Sequence, residues 1–459
     1  MQIPLTLFVM LFFVLVFVAL LRRPWLLGVW AASFLLFPTA FTRIGEAPLY
    51  LFDTIAMLVL VGMWFGGDRS WPRWVPRWHW WFITSGFILS VVGGTLRYGA
   101  APEILWIWGH ASLSWMAFAF GVLVCTSDRQ GEHCAAFRAG TLISSIALCG
   151  IALIQYADLP GAEIFSAFFY RDLGRAEVAD ILWHGAEVNR AVGPHSAPPG
   201  FAGMAVLTVL AFWLITDEEH WVGRWCVLVT STTTMLCTVS RHAVLAVILG
   251  LAVMLALSEA RKRTRLIAVG AILCLVLAGV IASSMLREGW SNRLAKTEEG
   301  VLSDDNIAAR IIWGPARLAE FISRDPAVLL TGAGLNPEKL QAHSRLDSGF
   351  ETGFVSNGFL LPLYYLGVFG FLLHGAFWVW ILRVANRRSG QDRAVAVACV
   401  VTAGLLIASD NYGFMYQPAV SLLFLISGLI VGQPQQSPEE EAFASETAPA
   451  EFVEEAHAA

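Results

Sequence analysis

Residues 355–382 read VSNGFLLPLYYLGVFGFLLHGAFWVWIL and contain no aspartate, glutamate, lysine or arginine. About 18 apolar residues in a helix suffice to cross a bilayer, because each residue adds about 1.5 Å along the axis. Apolar runs of this kind recur along all 459 residues of the chain, of which 57% are hydrophobic and 14% are charged. Soluble domains contain about 25% charged residues. The composition therefore excludes a soluble enzyme and indicates a polytopic membrane protein.

The predicted fold class is all-α, a transmembrane bundle of about 12 or 13 helical spans with a large outer loop that contains short helices. The runs are continuous and do not alternate as the strands of a β-barrel would. The predicted spans are 3–21, 25–41, 49–66, 80–96, 104–125, 139–156, 199–216, 225–239, 242–258, 266–284, 355–382, 394–410 and 414–432. The pair 225–239 and 242–258 also fits one broken element.

These spans divide the chain into six parts. Transmembrane spans occupy residues 1–156, 199–284 and 355–432, long outer loops occupy 157–198 and 285–354, and a tail occupies 433–459. The tail carries seven glutamates and no lysine or arginine, which predicts a disordered, solvated segment. In the second long loop, a helix is predicted from Pro315 to about Arg324.

The orientation follows from the lysines and arginines. Loops on one side of the predicted bundle hold sixteen of them, and the short loops on the other side hold three. Because cytoplasmic loops carry the excess of positive charge, the N-terminus is predicted outside and the C-terminus inside. Long ordered loops are usually functional, so we expect the function on the outer face, where both long loops lie.

Polar residues near the spans collect at their predicted outer ends. They are Glu46, Asp53, Arg97, Glu103, Arg241, His242, Asp410 and Asn411. Ionisable groups at membrane depth mark a functional site or a water-filled cavity by default, although some only cap helices. For His110, within the fifth span, the prediction is an interhelical hydrogen bond.

Arg241 and Arg310 differ from the other outer arginines, since neither has a carboxylate three or four residues away. Arg190 has Glu187 three residues before it. A guanidinium at the start of an apolar span needs a counter-charge from elsewhere, and its fork of donors fits a phosphate well.

Five short patterns resemble the O-antigen ligase and O-antigen polymerase superfamily of membrane glycan transferases. They are Arg190-Ala-Val-Gly193-Pro-His195, Ser240-Arg241, Ala309-Arg310-Ile-Ile-Trp313, Leu330-Thr-Gly332-Ala-Gly334, and Ser356-Asn357-Gly-Phe359 followed by Gly367 and Gly370. Their order and spacing carry the resemblance over roughly residues 185–425, while the first 180 residues match only as generic spans.

The resemblance implies transfer of a glycan from undecaprenyl diphosphate to an acceptor glycan, outside the bacterial inner membrane, without metal or cofactor. It implies diphosphate binding by Arg241 and Arg310, with Arg190 as a third member, and it places Asn357 among the catalytic residues. Where ligases have a histidine before this asparagine, the chain has Ser356. This difference favours a polymerase that joins repeat units of O-antigen or exopolysaccharide.

A proton acceptor for the attacking hydroxyl is expected near these arginines. In the segment from His343 to Glu351, a helical conformation would place His343 and Asp347 on one face, so that Asp347 holds the imidazole in one tautomer. Gly349 argues against a long helix there, and a loop histidine is also commonly only solvated.

Other functions remain open at this point: a ligase that attaches the glycan to lipid A-core or protein, and a lipid-linked-sugar transporter without catalysis. A transporter would place its binding groups near the bilayer midplane in repeated halves, and no repeat is evident. A transferase that uses a monophosphate-linked sugar would employ Glu46 or Asp53 as its base. Besides donor and acceptor, the expected partners are the bilayer and a chain-length regulator, with no nucleic acid.

Overall fold

The computed structural model describes residues 23–37, 40–44, 47–65, 71–98, 102–127, 130–160, 191–194, 198–216, 218–258, 314–332, 357–409 and 417–433, together with residues 14, 162 and 334. Within these residues the chain is almost entirely helical. Three of the described helices are long and apolar enough to cross a membrane: Ile104–Thr126, Gln130–Tyr156 and Leu361–Asn386. Shorter apolar helices are Leu51–Leu60, Gly200–Leu214, Arg241–Leu257 and Ala419–Gly432.

The elements follow one another in this order. The first half contains α1 (Arg23–Leu36), β1 (Ala40–Ile44), β2 (Ala47–Tyr50), α2 (Leu51–Phe65), α3 (Trp78–Gly86), a π-helical segment (Phe87–Val92), α4 (Gly93–Tyr98), α5 (Pro102–Thr126) and α6 (Gln130–Tyr156). The second half contains α7 (Pro198–Leu214), a 3-10 turn (Glu218–His220), α8 (Trp221–Cys237), α9 (Arg241–Leu257), α10 (Gly314–Arg324), α11 (Ala327–Thr331), α12 (Leu361–Asn386), α13 (Gly390–Ser409) and α14 (Gln417–Gly432).

The antiparallel hairpin of β1 and β2 was not predicted. The span predicted at 25–41 ends as a helix at Leu36, because Pro38 has no N–H with which to continue the helical hydrogen bonds. The helix predicted from Pro315 is confirmed as α10, and 225–239 with 242–258 forms two helices, α8 and α9. The predicted spans 3–21 (apart from Val14) and 266–284 and the acidic tail beyond residue 433 lie outside the described residues.

Several helices expose apolar side chains on the face that points away from their neighbours. On α12, Phe369 and Leu372 are 50% and 61% exposed, and on α6 Ile143 is 62% exposed. A helix that is apolar all round is buried in protein or in lipid, and contiguous exposed apolar surface is uncommon on soluble monomers. The packing therefore agrees with the membrane character that the composition indicates.

Helices α5 and α14 run parallel and cross at two glycines. A Cβ atom placed on Gly428 would lie 3.0 Å from the Cα atom of Gly121. One end of the pair is joined by a hydrogen bond of 3.0 Å from the Ser421 hydroxyl to the Ser114 hydroxyl. Small residues at a crossing let two backbones approach closely, which is how helices pack where no water drives them together.

Arginines from three separate segments meet at one end of the bundle. Arg138 donates to the carbonyl of Ile215 (3.1 Å), Arg224 donates to the backbone carbonyl and the hydroxyl of Thr216, and Arg388 donates to the carbonyl of Ile430. Burial lowers the pKa of Arg388, and Asp392 opposes this shift. Positive charge near the last carbonyls of α7 and α14 suits their helix dipoles. We call this the arginine end.

Candidate functional site

Several of the predicted outer residues lie at the end of the bundle opposite the arginine end. Asn357 precedes α12, whose C-terminus leads into Arg388, and His110 lies in α5 one turn before Ser114. Arg241 opens α9, which is antiparallel to α13 because Gly250 packs against Thr402 and Met254 packs against Ala398. Asp53 pairs with His110. We call the region of Asp53, His110, Arg241 and Asn357 the polar end.

A tight turn sets the position of Arg241. Val239 in this turn is buried and has a positive φ of 52°, a conformation that a β-branched residue rarely adopts. The Thr238 hydroxyl donates to the Met235 carbonyl at 2.6 Å, and the Ser240 hydroxyl lies 3.0 Å from Nδ1 of His242. Arg241 itself is partly buried. Strain of this kind tends to accumulate at functional sites, where surrounding contacts hold it.

The segment Ala191–Gly193 is fixed beside the same turn. The N–H of Ala191 donates to the Cys237 carbonyl at 2.8 Å. The side-chain oxygen of Gln155 accepts from the N–H groups of Val192 (3.1 Å) and Gly193 (2.7 Å). Gly193 has a φ of 57°, and a Cβ atom there would lie 2.5 Å from the Phe201 ring. The chain that follows Arg190 is therefore held next to the turn that precedes Arg241.

Asn357 begins the turn that leads into α12. Its side-chain oxygen accepts from the N–H of Phe359 at 3.0 Å, and its carbonyl accepts from Leu360 and Leu361. The N–H of Gly358 donates to the Ile407 carbonyl at 2.9 Å, which joins this turn to the end of α13. Asparagine favours such turns because its side chain imitates a backbone carbonyl.

The Gly332 and Gly334 pattern docks against a break in α12. Gly334 donates to the Tyr365 carbonyl at 3.0 Å, and Gly367 interrupts α12 with a φ of 68°. A Cβ atom on Gly367 would lie 2.8 Å from the nitrogen of Gly332. Gly334 also packs against Gly94, just after the π-helical segment. Two of the patterns that carry the resemblance are therefore in direct contact.

A carboxylate and an imidazole form a buried pair at this end. Nδ1 of His110 hydrogen-bonds Oδ2 of Asp53, which confirms the predicted interhelical bond of His110. Tyr50, at the end of β2, stacks on the imidazole with ring centres 4.4 Å apart, and the Phe52 ring centre lies at 5.6 Å. Sequence reasoning noted Asp53 and His110 separately and missed Tyr50. Asp53 was noted at the outer end of a predicted span, and His110 was noted within one.

Of the six predicted site residues, the structure describes Arg241 and Asn357, whereas Arg190, Arg310, His343 and Asp347 lie outside the described residues. The roles of all six remain predictions. In the described part of the chain, no three His, Cys, Asp or Glu side chains are grouped so that they would hold a metal ion. No protein-family model matches the chain, and no curated protein matches it in sequence.

Proposed function

We propose that the protein is a glycan polymerase of the bacterial inner membrane, a bundle of about 12 or 13 spans with its N-terminus outside and its C-terminus in the cytoplasm. It joins repeat units of O-antigen or exopolysaccharide that are linked to undecaprenyl diphosphate, on the outer face. The proposal rests on the resemblance of residues 185–425 to the O-antigen ligase and polymerase superfamily.

The observation that supports it best is the hydrogen bond between Ala191 and Cys237. It holds Ala191, the residue after Arg190 in the sequence, beside the turn that precedes Arg241, and we expect Arg190 and Arg241 to converge there. Arginine forks bind phosphate oxygens in pairs, and a diphosphate offers enough oxygens for more than one arginine. Arg310 is the third arginine that we assign to the same diphosphate.

In the reaction, the acceptor hydroxyl oxygen attacks the anomeric carbon of the donor sugar. The bond from that carbon to the phosphate oxygen breaks, and its electron pair leaves with the undecaprenyl diphosphate, whose charge the arginines stabilise. The hydroxyl proton passes to a base, for which the sequence offers His343 with Asp347. The acceptor oxygen thereby replaces the undecaprenyl diphosphate on the anomeric carbon, and the step uses no metal or nucleotide.

A deletion strain distinguishes the polymerase from the ligase. A polymerase mutant keeps single repeat units attached and loses the long polymer. A ligase mutant loses attachment altogether and accumulates lipid-linked polymer. Wild-type glycan in the deletion strain would overturn both assignments. Loss of the glycan with lipid-linked repeats left on the inner leaflet would instead indicate the transporter.

Arginine variants test the diphosphate site. We expect Arg241→Lys to lose polymer synthesis nearly as fully as Arg241→Ala, since lysine keeps the charge but loses the fork. The matched control is Arg393→Ala at the arginine end, where the side chain bonds Asn386 at 3.0 Å and little change is expected. Synthesis is measured in membranes with a lipid-linked repeat unit, and full activity of Arg241→Ala at normal protein level would contradict the assignment.

A further inference from the structure

Asp53 and His110 form a largely buried pair of titratable side chains at the polar end. Asp53 is 8% exposed, and about a tenth of each side chain remains accessible. Burying ionisable groups is expensive unless they are paired, and the hydrogen bond between Nδ1 and Oδ2 provides such a pairing. The pairing also fixes the ring, because Nδ1 faces the carboxylate and Nε2 is the nitrogen left to exchange a proton.

The hydrogen bond between Asp53 and His110 leaves one oxygen of the Asp53 carboxylate without a donor in the described part of the chain. Oδ1 of Asp53 is buried and has no hydrogen-bond partner among the described residues. A buried carboxylate oxygen without a donor costs about 1–3 kcal/mol or more, so native proteins usually supply a donor from the protein, an ordered water or a ligand. A sugar acceptor carries several hydroxyl groups that are able to donate to it.

The surroundings of the pair are aromatic and leave about a tenth of each side chain open to solvent. Tyr50 covers one face of the imidazole, and Phe52 lies at its side. His110 is one turn from Ser114, which bonds Ser421 near the start of α14. These contacts put the pair at the same end of the bundle as Arg241 and Asn357.

We propose that Asp53 and His110, in place of His343 and Asp347, are the proton-accepting pair of the transfer reaction, with His110 as the base and Asp53 as its positioning residue. This inference rests on the proposed function. Nε2 of His110 takes the proton of the acceptor hydroxyl as its oxygen bonds the anomeric carbon, and the electron pair of the broken carbon–oxygen bond leaves with the diphosphate. The proton then passes from the imidazolium to solvent, which restores the neutral ring. A general base of this kind contributes about 10²–10⁴-fold to the rate.

The experiment uses full-length protein in membranes with a lipid-linked repeat unit as donor and acceptor. For His110→Ala we expect a loss of about 10²–10⁴-fold in kcat with little change in KM for the donor. Asp53→Asn is expected to give a smaller loss. Ser114→Ala is the matched control on the same helix, since it removes the bond to Ser421 but not the base, and it should keep the wild-type kcat.

Chemical rescue separates a base from a structural side chain. Imidazole added to His110→Ala should restore part of the activity, and pyrrole, which has the same ring shape without a basic nitrogen, should not. Wild-type kcat in His110→Ala, equal rescue by pyrrole, or no rescue by imidazole would each overturn the pair as proton acceptor. If Arg241→Ala is inactive in the same assay, the proposed function survives that result, whereas an inactive wild type overturns both proposals.

Discussion

Substitution of Gly332 by alanine should detach the α11 segment from α12. Gly332 has a φ of 71° and a ψ of 179°, a region that is essentially restricted to glycine and costs about 1–3 kcal/mol for other residues. A Cβ atom would also lie 2.5 Å from the nitrogen of Leu366, which is at least 0.9 Å inside the ordinary contact distance of 3.4 Å. The atoms that the new Cβ atom would meet belong to the backbone of Tyr365 and Leu366, which cannot move aside without disturbing α12. Such overpacking costs about 1–3 kcal/mol.

The two costs together come to about 2–6 kcal/mol, or roughly 30-fold to 20,000-fold in the docking equilibrium. We expect local undocking, because a Cβ atom on Gly332 would push against Tyr365 and Leu366 of α12. Limited proteolysis in membrane vesicles should show faster cleavage near residue 332, together with a loss of polymer synthesis.

Gly375→Ala is the matched control for this substitution. It lies in α12 as well, and a Cβ atom there would meet no other atom within 4 Å, so alanine should be neutral or stabilising by up to about 1 kcal/mol. Gly332→Ala with the cleavage rate and polymer yield of Gly375→Ala would refute the reasoning.

Three further predictions follow from other contacts. Asn357→Asp should keep the turn, because its carboxylate oxygen still accepts from the N–H of Phe359. It should lower polymer synthesis, because the two amide N–H donors are lost. Full synthesis in this variant would mean that Asn357 serves only to form the turn. Gly428→Leu should lower the Tm of the detergent-solubilised protein through a loss of about 1–3 kcal/mol, and Gly150→Leu, where a Cβ atom meets nothing within 4 Å, should not; equal Tm values would contradict the crossing. Reporter fusions after Gly300 and after Val431 should report the outside and the cytoplasm respectively, and a cytoplasmic signal at Gly300 would reverse the orientation.

Continuous apolar runs located most of the described helices because their length and composition are local properties of the chain. The start of α6 was placed at 139 and lies at Gln130, since Glu132 and Arg138 interrupt the apolar run although the helix continues through them. The Arg138 side chain bonds the Ile215 carbonyl instead of ending the helix. Tertiary contacts of this kind decide helix ends and are not visible in a local pattern.

The site was predictable only in part. Asp53 and His110 were noted as polar residues in apolar spans, but their pairing joins residues 57 positions apart and depends on how α2 packs on α5. The hairpin of β1 and β2, which brings Tyr50 onto the imidazole, was missed because two strands of five and four residues leave almost no periodic signal. Contacts between residues far apart in sequence depend on how the helices pack, so they cannot be found in any short stretch of the sequence.

The parallel pairing of α5 with α14 can form only late in the synthesis of the chain. Ser114 and Ser421 are 307 residues apart, and ribosomes add about 5–20 residues per second, so α5 exists for about 15–60 s before its partner has been translated. During that interval the face of α5 that carries Ser114 and Gly121 has no final neighbour. The half of the chain that holds Asp53 and His110 is therefore synthesised before its packing partner, and the polar end is completely assembled only when translation is nearly finished.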